Sequence, residues 1–181
     1  MRVVNALFVI FILAIGAFAD TTWVSDTISG TWTSAGNPYI LTGDCYVAYG
    51  ESLFVEEGVR IISDDTSDKS IYCDCRGFFE GVLDSPIHMT HVGLRDPQII
   101  TYSVIDSVFR ALHNPREVSY IEIRDCSTGI IFNTISGSAD HVSIHNCYYA
   151  ITCNNASFQY LTISGCSRGI NIWEGADIGV Y

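Results

Sequence analysis

The stretch that decides the fold is Val142-Ser-Ile144-His-Asn-Cys147-Tyr-Tyr-Ala150-Ile151-Thr-Cys153. It aligns without gaps with Ile121-Glu-Ile123-Arg-Asp-Cys126-Ser-Thr-Gly129-Ile130-Ile-Phe132 before it and Leu161-Thr-Ile163-Ser-Gly-Cys166-Ser-Arg-Gly169-Ile170-Asn-Ile172 after it. A weaker copy precedes them: Tyr102-Ser-Val104-Ile-Asp-Ser107, then Ala111-Leu112 with one extra residue. The marker positions 107, 126, 147 and 166 lie 19, 21 and 19 residues apart. A fixed period near twenty is the signature of a solenoid.

Each unit is readable as chemistry. Apolar residues two apart place one face of a short strand inward. Asp106, Asp125, Asn146 and Gly165 precede the marker, and these residue types tolerate the left-handed conformation that turns a corner. A small residue follows (Gly129, Ala150, Gly169), then a second apolar pair two apart. Each unit therefore reads as strand, corner, strand and a polar loop, such as Asn133 to Asp140 or Asn154 to Ser157. Composition agrees: 23 Ile against 8 Leu, with 10 Tyr, 9 Phe and the single lysine Lys69, favours pleated strands over helices.

Two solenoids compete for this pattern. Val118-Ile121-Ile123-Cys126 and Phe158-Leu161-Ile163-Cys166 fit the core of a leucine-rich repeat, which then needs an apolar residue two beyond the Asn or Cys. Here those positions hold Thr128, Tyr149 and Arg168, and a second strand follows. The pattern instead resembles the right-handed parallel β-helix, the pectate-lyase-like family of secreted repeat proteins. The first half carries the same resemblance. Gly30-Thr-Trp32, Asn37-Pro38-Tyr39-Ile40 and Gly50-Glu-Ser-Leu53-Phe-Val55-Glu-Glu-Gly58-Val59-Arg-Ile61 are similar to the opening coils of bacterial and archaeal β-helix surface proteins, and Ser85-Pro86-Ile87-His-Met89-Thr to a strand closing a later coil. The resemblance implies an all-β chain of about 20-residue coils, each carrying three short strands with like residues stacked.

The N-terminus, MRVVNALFVIFILAIGAFAD, has one early arginine, an apolar run from about Leu7 to Ala17, and small residues at Ala17 and Ala19. That is the layout of a cleaved signal peptide over residues 1–19. The run is too short for a membrane span, and no later segment is long and apolar enough for one. Residues 20–181 are read as one β-helix domain, with opening coils over 20–98 and regular repeats over 99–181. After Ile172 the chain enters what reads as another coil, so the reading expects further coils or a partner at that end. The expected location is secreted or cell-surface.

A net charge of −11, with nine basic residues against twenty acidic ones, excludes nucleic-acid binding through a basic patch and a polybasic membrane anchor. In an exported chain, seven cysteines would ordinarily mean a disulfide framework. Cys126, Cys147 and Cys166 instead mark successive coils and read as a core ladder of small apolar side chains. Cys45, Cys73 and Cys75 remain as bridge-forming candidates, with both sulfurs of Cys73-Asp-Cys75 on one face of a strand. His88 and His91 face opposite sides of a strand and do not share a metal. Asp64, Asp65 and Asp68 read as a solvated turn. No metal or cofactor is expected.

On the outward strand face, Thr101/Ser103, Glu122/Arg124, Ser143/His145 and Thr162/Ser164 are expected to form a ladder that makes Glu122, Arg124 and His145 neighbours. Glu122 is expected to have no acidic partner in adjacent coils. Tyr148 and Tyr149 are placed at an exposed corner, with Arg168 one coil on. These six residues are the candidate glycan-contact positions. The Asn-Thr-Asp, Gly-His-Gly and Arg-Ile-Lys motifs of polygalacturonase-like members of the resembled family are missing. The reading is therefore a structural, adhesive or glycan-contacting protein without a recognised catalytic set, whose partner is a polysaccharide or cell-surface glycan. The alternative is part of a polysaccharide lyase or glycoside hydrolase.

Overall fold

The computed structural model describes residues 21–133, 137–154 and 156–172, and the backbone of 178–180. The signal peptide read at 1–19 and the segment 173–177 lie outside the described residues. In chain order the strands are β1 (Thr22–Ile28), β2 (Gly30–Trp32), β3 (Tyr39–Val47), β4 (Leu53–Val55), β5 (Arg60–Ser63), β6 (Lys69–Tyr72), β7 (Gly77–Glu80), β8 (Ile87–Thr90) and β9 (Val92–Arg95). They continue as β10 (Ile99–Asp106), β11 (Arg110–His113), β12 (Glu117–Arg124), β13 (Thr128–Phe132), β14 (Gly137–His145), β15 (Tyr149–Cys153), β16 (Ala156–Ser164), β17 (Arg168–Ile172) and β18 (Ile178–Val180).

Every pairing between these strands is parallel, and each strand pairs with its counterpart one coil along. The result is a parallel β-helix of about 8 turns with 19–22 residues per turn. Such pairing uses the backbone of one coil to satisfy the next, so every coil depends on its neighbours. Each coil carries three strand segments and no α-helix among the described residues, which removes the leucine-rich alternative.

Three inward columns make the core. The first runs Tyr39, Ile61, Met89, Ile105, Ile123, Ile144, Ile163. The second runs Cys45, Ile71, Leu94, Leu112, Ile130, Ile151, Ile170. The third runs Trp32, Val55, Phe79, Ile100, Val118, Ala139, Phe158. Most members are buried at 0–6% exposure, so the column positions, spaced two apart on each strand, match the core.

The structure corrects the sequence reading in four places. Residues 137–140 and 156–157, read as polar loop, belong to the third strand of their coils, with Ala139 and Phe158 inward. The marker of the weak copy is Val108, not Ser107. Val108 is buried, its carbonyl accepts from Ser127 N at 3.4 Å, and with this register Ala111 follows three residues later and the extra residue disappears. Ser107 then takes the left-handed corner (φ 55) that Asp125, Asn146 and Gly165 take in later coils, and Asp106 does not. Finally, Cys73 and Cys75 are not on one strand face: β6 ends at Tyr72, and Asp74 and Cys75 turn a corner at φ 48 and 58.

Candidate functional site

The corrected register redraws the outward ladder. Ser103 pairs with Ile87 and Ile121 and points inward at 1% exposure, its hydroxyl donating to the Thr101 carbonyl at 3.0 Å. Thr101 belongs to the third sheet, beside Glu80 and Ser119. The outward columns on the first sheet are therefore His88, Val104, Glu122, Ser143, Thr162 and, beside it, Thr90, Asp106, Arg124, His145, Ser164.

Glu122, Arg124 and His145 do come together. Arg124 reaches Glu122 at 3.6 Å within its own strand and Asp106 at 4.0 Å in the preceding coil. His145 Nδ1 meets Ser164 Oγ at 2.6 Å. Asp106 corrects the expectation that Glu122 has no acidic partner in adjacent coils. It was hidden by the one-residue misregister, which had placed Asp106 at the corner. The guanidinium thus sits between two carboxylates and is charge-compensated within the protein.

Tyr148, Tyr149 and Arg168 also meet, but on another sheet. Tyr149 pairs with Arg168 across β15 and β17, and Arg168 donates to the Tyr149 hydroxyl at 3.0 Å. The guanidinium lies 5.1 Å from the Tyr149 ring centre and 5.8 Å from that of Tyr148, with the two rings edge to face. The six candidates therefore form two patches, divided by the Asn146-Cys147 corner.

A further feature of the outward surface is not read from the sequence. Tyr102, Tyr120, His141 and Tyr160 stand where β10, β12, β14 and β16 bend from the third sheet into the first. Their rings stack successively at 4.7, 4.5 and 4.4 Å between centroids. Tyr120 is 43% and Tyr160 69% exposed. All four backbones are left-handed, with φ between 41 and 52. A bulky side chain in that region costs on the order of 1–3 kcal/mol, and the chain accepts this four times in succession. Asp140 anchors the third rung, its carboxylate 2.9 Å from His141 Nδ1. The signal was available: these residues stand six before Val108, Cys126, Cys147 and Cys166.

Beside the ladder lies an open depression of about 330 Å³. Tyr102, Tyr120 and His141 form one side, Leu83 and Pro86 of the β7–β8 loop form a wall, and Glu122 and Ser143 supply polar groups. Leu83 is 78% exposed. An apolar wall, stacked rings and a few convergent polar groups are the ordinary make-up of a binding surface.

All seven cysteines are free thiols. Cys126 and Cys147 are buried at the corner, and Cys166 is partly so. Each donates to the carbonyl two residues back, at 3.1, 3.4 and 3.4 Å. The neighbouring Cys147 thiol, then burial, push the Cys126 pKa up, while the neighbouring Cys126 thiol pulls that of Cys147 down. Among the bridge candidates, the register sets Ile71 opposite Cys45. Burial pushes Cys45 up to about 11 and Cys73 further. Among the described residues no cluster of three metal-ligating side chains occurs. Asp65 of the acidic turn accepts from Ser67 and Ser63 and pairs with Lys69 at 3.5 Å. The hydrogen bonds from Ser67 hold its carboxyl at about 2.

No family model, curated relative or solved structure matches this chain.

Proposed function

We propose that this protein is a secreted or cell-surface β-helix that contacts glycan chains through its aromatic ladder and performs no catalysis of its own. The observation carrying the reading is the four-ring stack Tyr102–Tyr120–His141–Tyr160, which runs along the solenoid axis with Tyr120, His141 and Tyr160 exposed. Because the rings lie face to face, an extended chain laid along the stack meets a ring edge in each successive coil, about 4.8 Å apart. The aligned edges make a continuous apolar strip against which sugar rings can rest, while the tyrosine hydroxyls and flanking polar groups take the sugar hydroxyls. Glu122 and Asp140 border the ladder with negative charge, which favours a neutral, hydroxyl-rich polymer over an acidic one. The pectate-lyase-like resemblance agrees with a polysaccharide partner in general, and the leader read at residues 1–19 agrees with export.

The test is retention of the full chain on insoluble neutral polysaccharides. Tyr120→Ala and Tyr160→Ala are each expected to weaken retention roughly two- to tenfold, and Tyr49→Ala, a 95% exposed tyrosine off the ladder, to leave it unchanged. Equal retention of all variants counts against the ladder.

A second reading, part of a lyase or hydrolase, rests on Asp106, Arg124 and Glu122 standing together. A lyase needs a cation free to neutralise the substrate's acid, and Arg124 already serves two carboxylates. Release of unsaturated product from uronate polymers, abolished by Arg124→Gln, would establish that reading instead.

A further inference from the structure

The second sheet carries a cluster that the ladder does not use. Its outward column runs Tyr46, Tyr72, Arg95, His113. Arg95 and His113 join Tyr72, Asp96 and Arg110 around a cavity of about 270 Å³. Within this strongly acidic protein, two arginines and a histidine line one pocket against the single carboxylate of Asp96.

Arg95 is half-buried, and its NH1 nitrogen is shut off from solvent with no hydrogen-bond partner. Leaving a buried, charged donor unsatisfied costs more than leaving a neutral one. Among the described residues neither Arg95 nor Arg110 has a carboxylate oxygen within 4.0 Å. The Arg110 guanidinium rests 5.4 Å over the exposed Phe109 ring, at the mouth of the pocket. Asp44, the next acidic group facing Arg95, already accepts from Ser70 N at 2.8 Å. His113 Nε2 lies 3.3 Å from the Asn133 amide. On the other side Tyr72 stacks on Tyr46 at 4.7 Å and presents an apolar wall.

We propose that this pocket binds an oxyanion carried on an organic body: the anionic group sits between Arg95 and Arg110, and the body lies against Tyr72. A planar guanidinium is the group that recognises carboxylates, sulfates and phosphates through paired N–H donors, and a monovalent oxyanion balances two arginines against Asp96. The site is on a different sheet from the aromatic ladder and does not depend on it.

A second property follows from the same geometry. Burial, then Arg95, push the His113 imidazole below its ordinary value, while Asp96 opposes and Arg110 adds to the fall. A bound anion supplies a compensating charge, so occupancy raises the His113 titration point.

The experiment is calorimetric titration of the full chain at pH 7 in low salt with sodium glucuronate, sodium acetate and sodium sulfate, with the histidine resonances followed in parallel by NMR. Saturable binding of at least one anion is expected, weakened about tenfold or more in Arg95→Gln and in Arg110→Gln. The His113 titration point should rise with ligand in the parent and not in Arg110→Gln. Glucuronate binding more tightly than acetate assigns the Tyr72 wall a role, whereas sulfate binding as tightly as glucuronate assigns the site to the anion alone. Arg110 is exposed, so its variant keeps the test valid should Arg95→Gln fail to fold. Tyr160→Ala should leave the affinity unchanged, which separates this site from the ladder. Absence of saturable binding, or affinity indifferent to Arg110→Gln, overturns the proposal.

Discussion

The cysteines show how much a residue's meaning depends on its place in a coil. Chemically identical thiols divide into five that are buried (Cys45, Cys73, Cys126, Cys147 and Cys153) and two, Cys75 and Cys166, that are only partly so. Reaction with an alkylating agent needs both access and thiolate. Burial denies access to the five, and it also raises Cys45, Cys73 and Cys153 above their ordinary values. In the native chain at pH 8, mass spectrometry of iodoacetamide-treated protein should therefore find label first on Cys75. All seven should react once denaturant unfolds the protein. Early labelling of Cys73 would show that the corner at Asp74 is open, whereas a Cys75 protected until reduction would show a bridge there.

At the scale of the element, close stacking of coils sets the rules. The small residue three beyond the marker is a steric requirement where the next coil closes over it. A Cβ on Gly129 would stand 2.5 Å from the Ala150 carbonyl oxygen and 3.2 Å from Ile144. Gly129→Val should cost about 2 kcal/mol through overpacking, a fall of roughly 4–8 °C in melting temperature. The strand bends follow the same logic: left-handed backbones at Asp125, Asn146 and Gly165 use residues suited to them, while those at Tyr102, Tyr120, His141 and Tyr160 do not.

For the whole molecule, the parallel stack makes energetics nearly one-dimensional, because a coil touches only the coils before and after it. Ile61 and Ile144 share a core column but lie several coils apart, while Ile123 and Ile144 are direct neighbours. Each Ile→Val change should cost about 0.5–1.5 kcal/mol. Denaturant titration should find Ile61→Val and Ile144→Val additive within about 0.5 kcal/mol, and the neighbouring pair Ile123→Val and Ile144→Val coupled. Strong coupling between the distant pair would mean that the coils do not act as nearest-neighbour units.

Most of this architecture was legible in the chain. A gapless repeat near twenty residues, apolar positions two apart and corner residues before Cys126, Cys147 and Cys166 dictate stacked parallel strands, because only neighbouring coils can bury those faces and pair that backbone. What the sequence left open was register and adjacency. In the weak copy the pattern tolerates a slip of one residue, and a one-residue slip exchanges the two faces of a strand. That exchange turned Ser103 from surface to core and brought Asp106 up beside Arg124. The aromatic ladder was present as a column of letters, yet its rings stack only because the bend aims them outward. Arg95 and His113 share a pocket with Tyr72 because successive coils lay residues about twenty apart directly over one another, a closeness that exists only once the chain is wound.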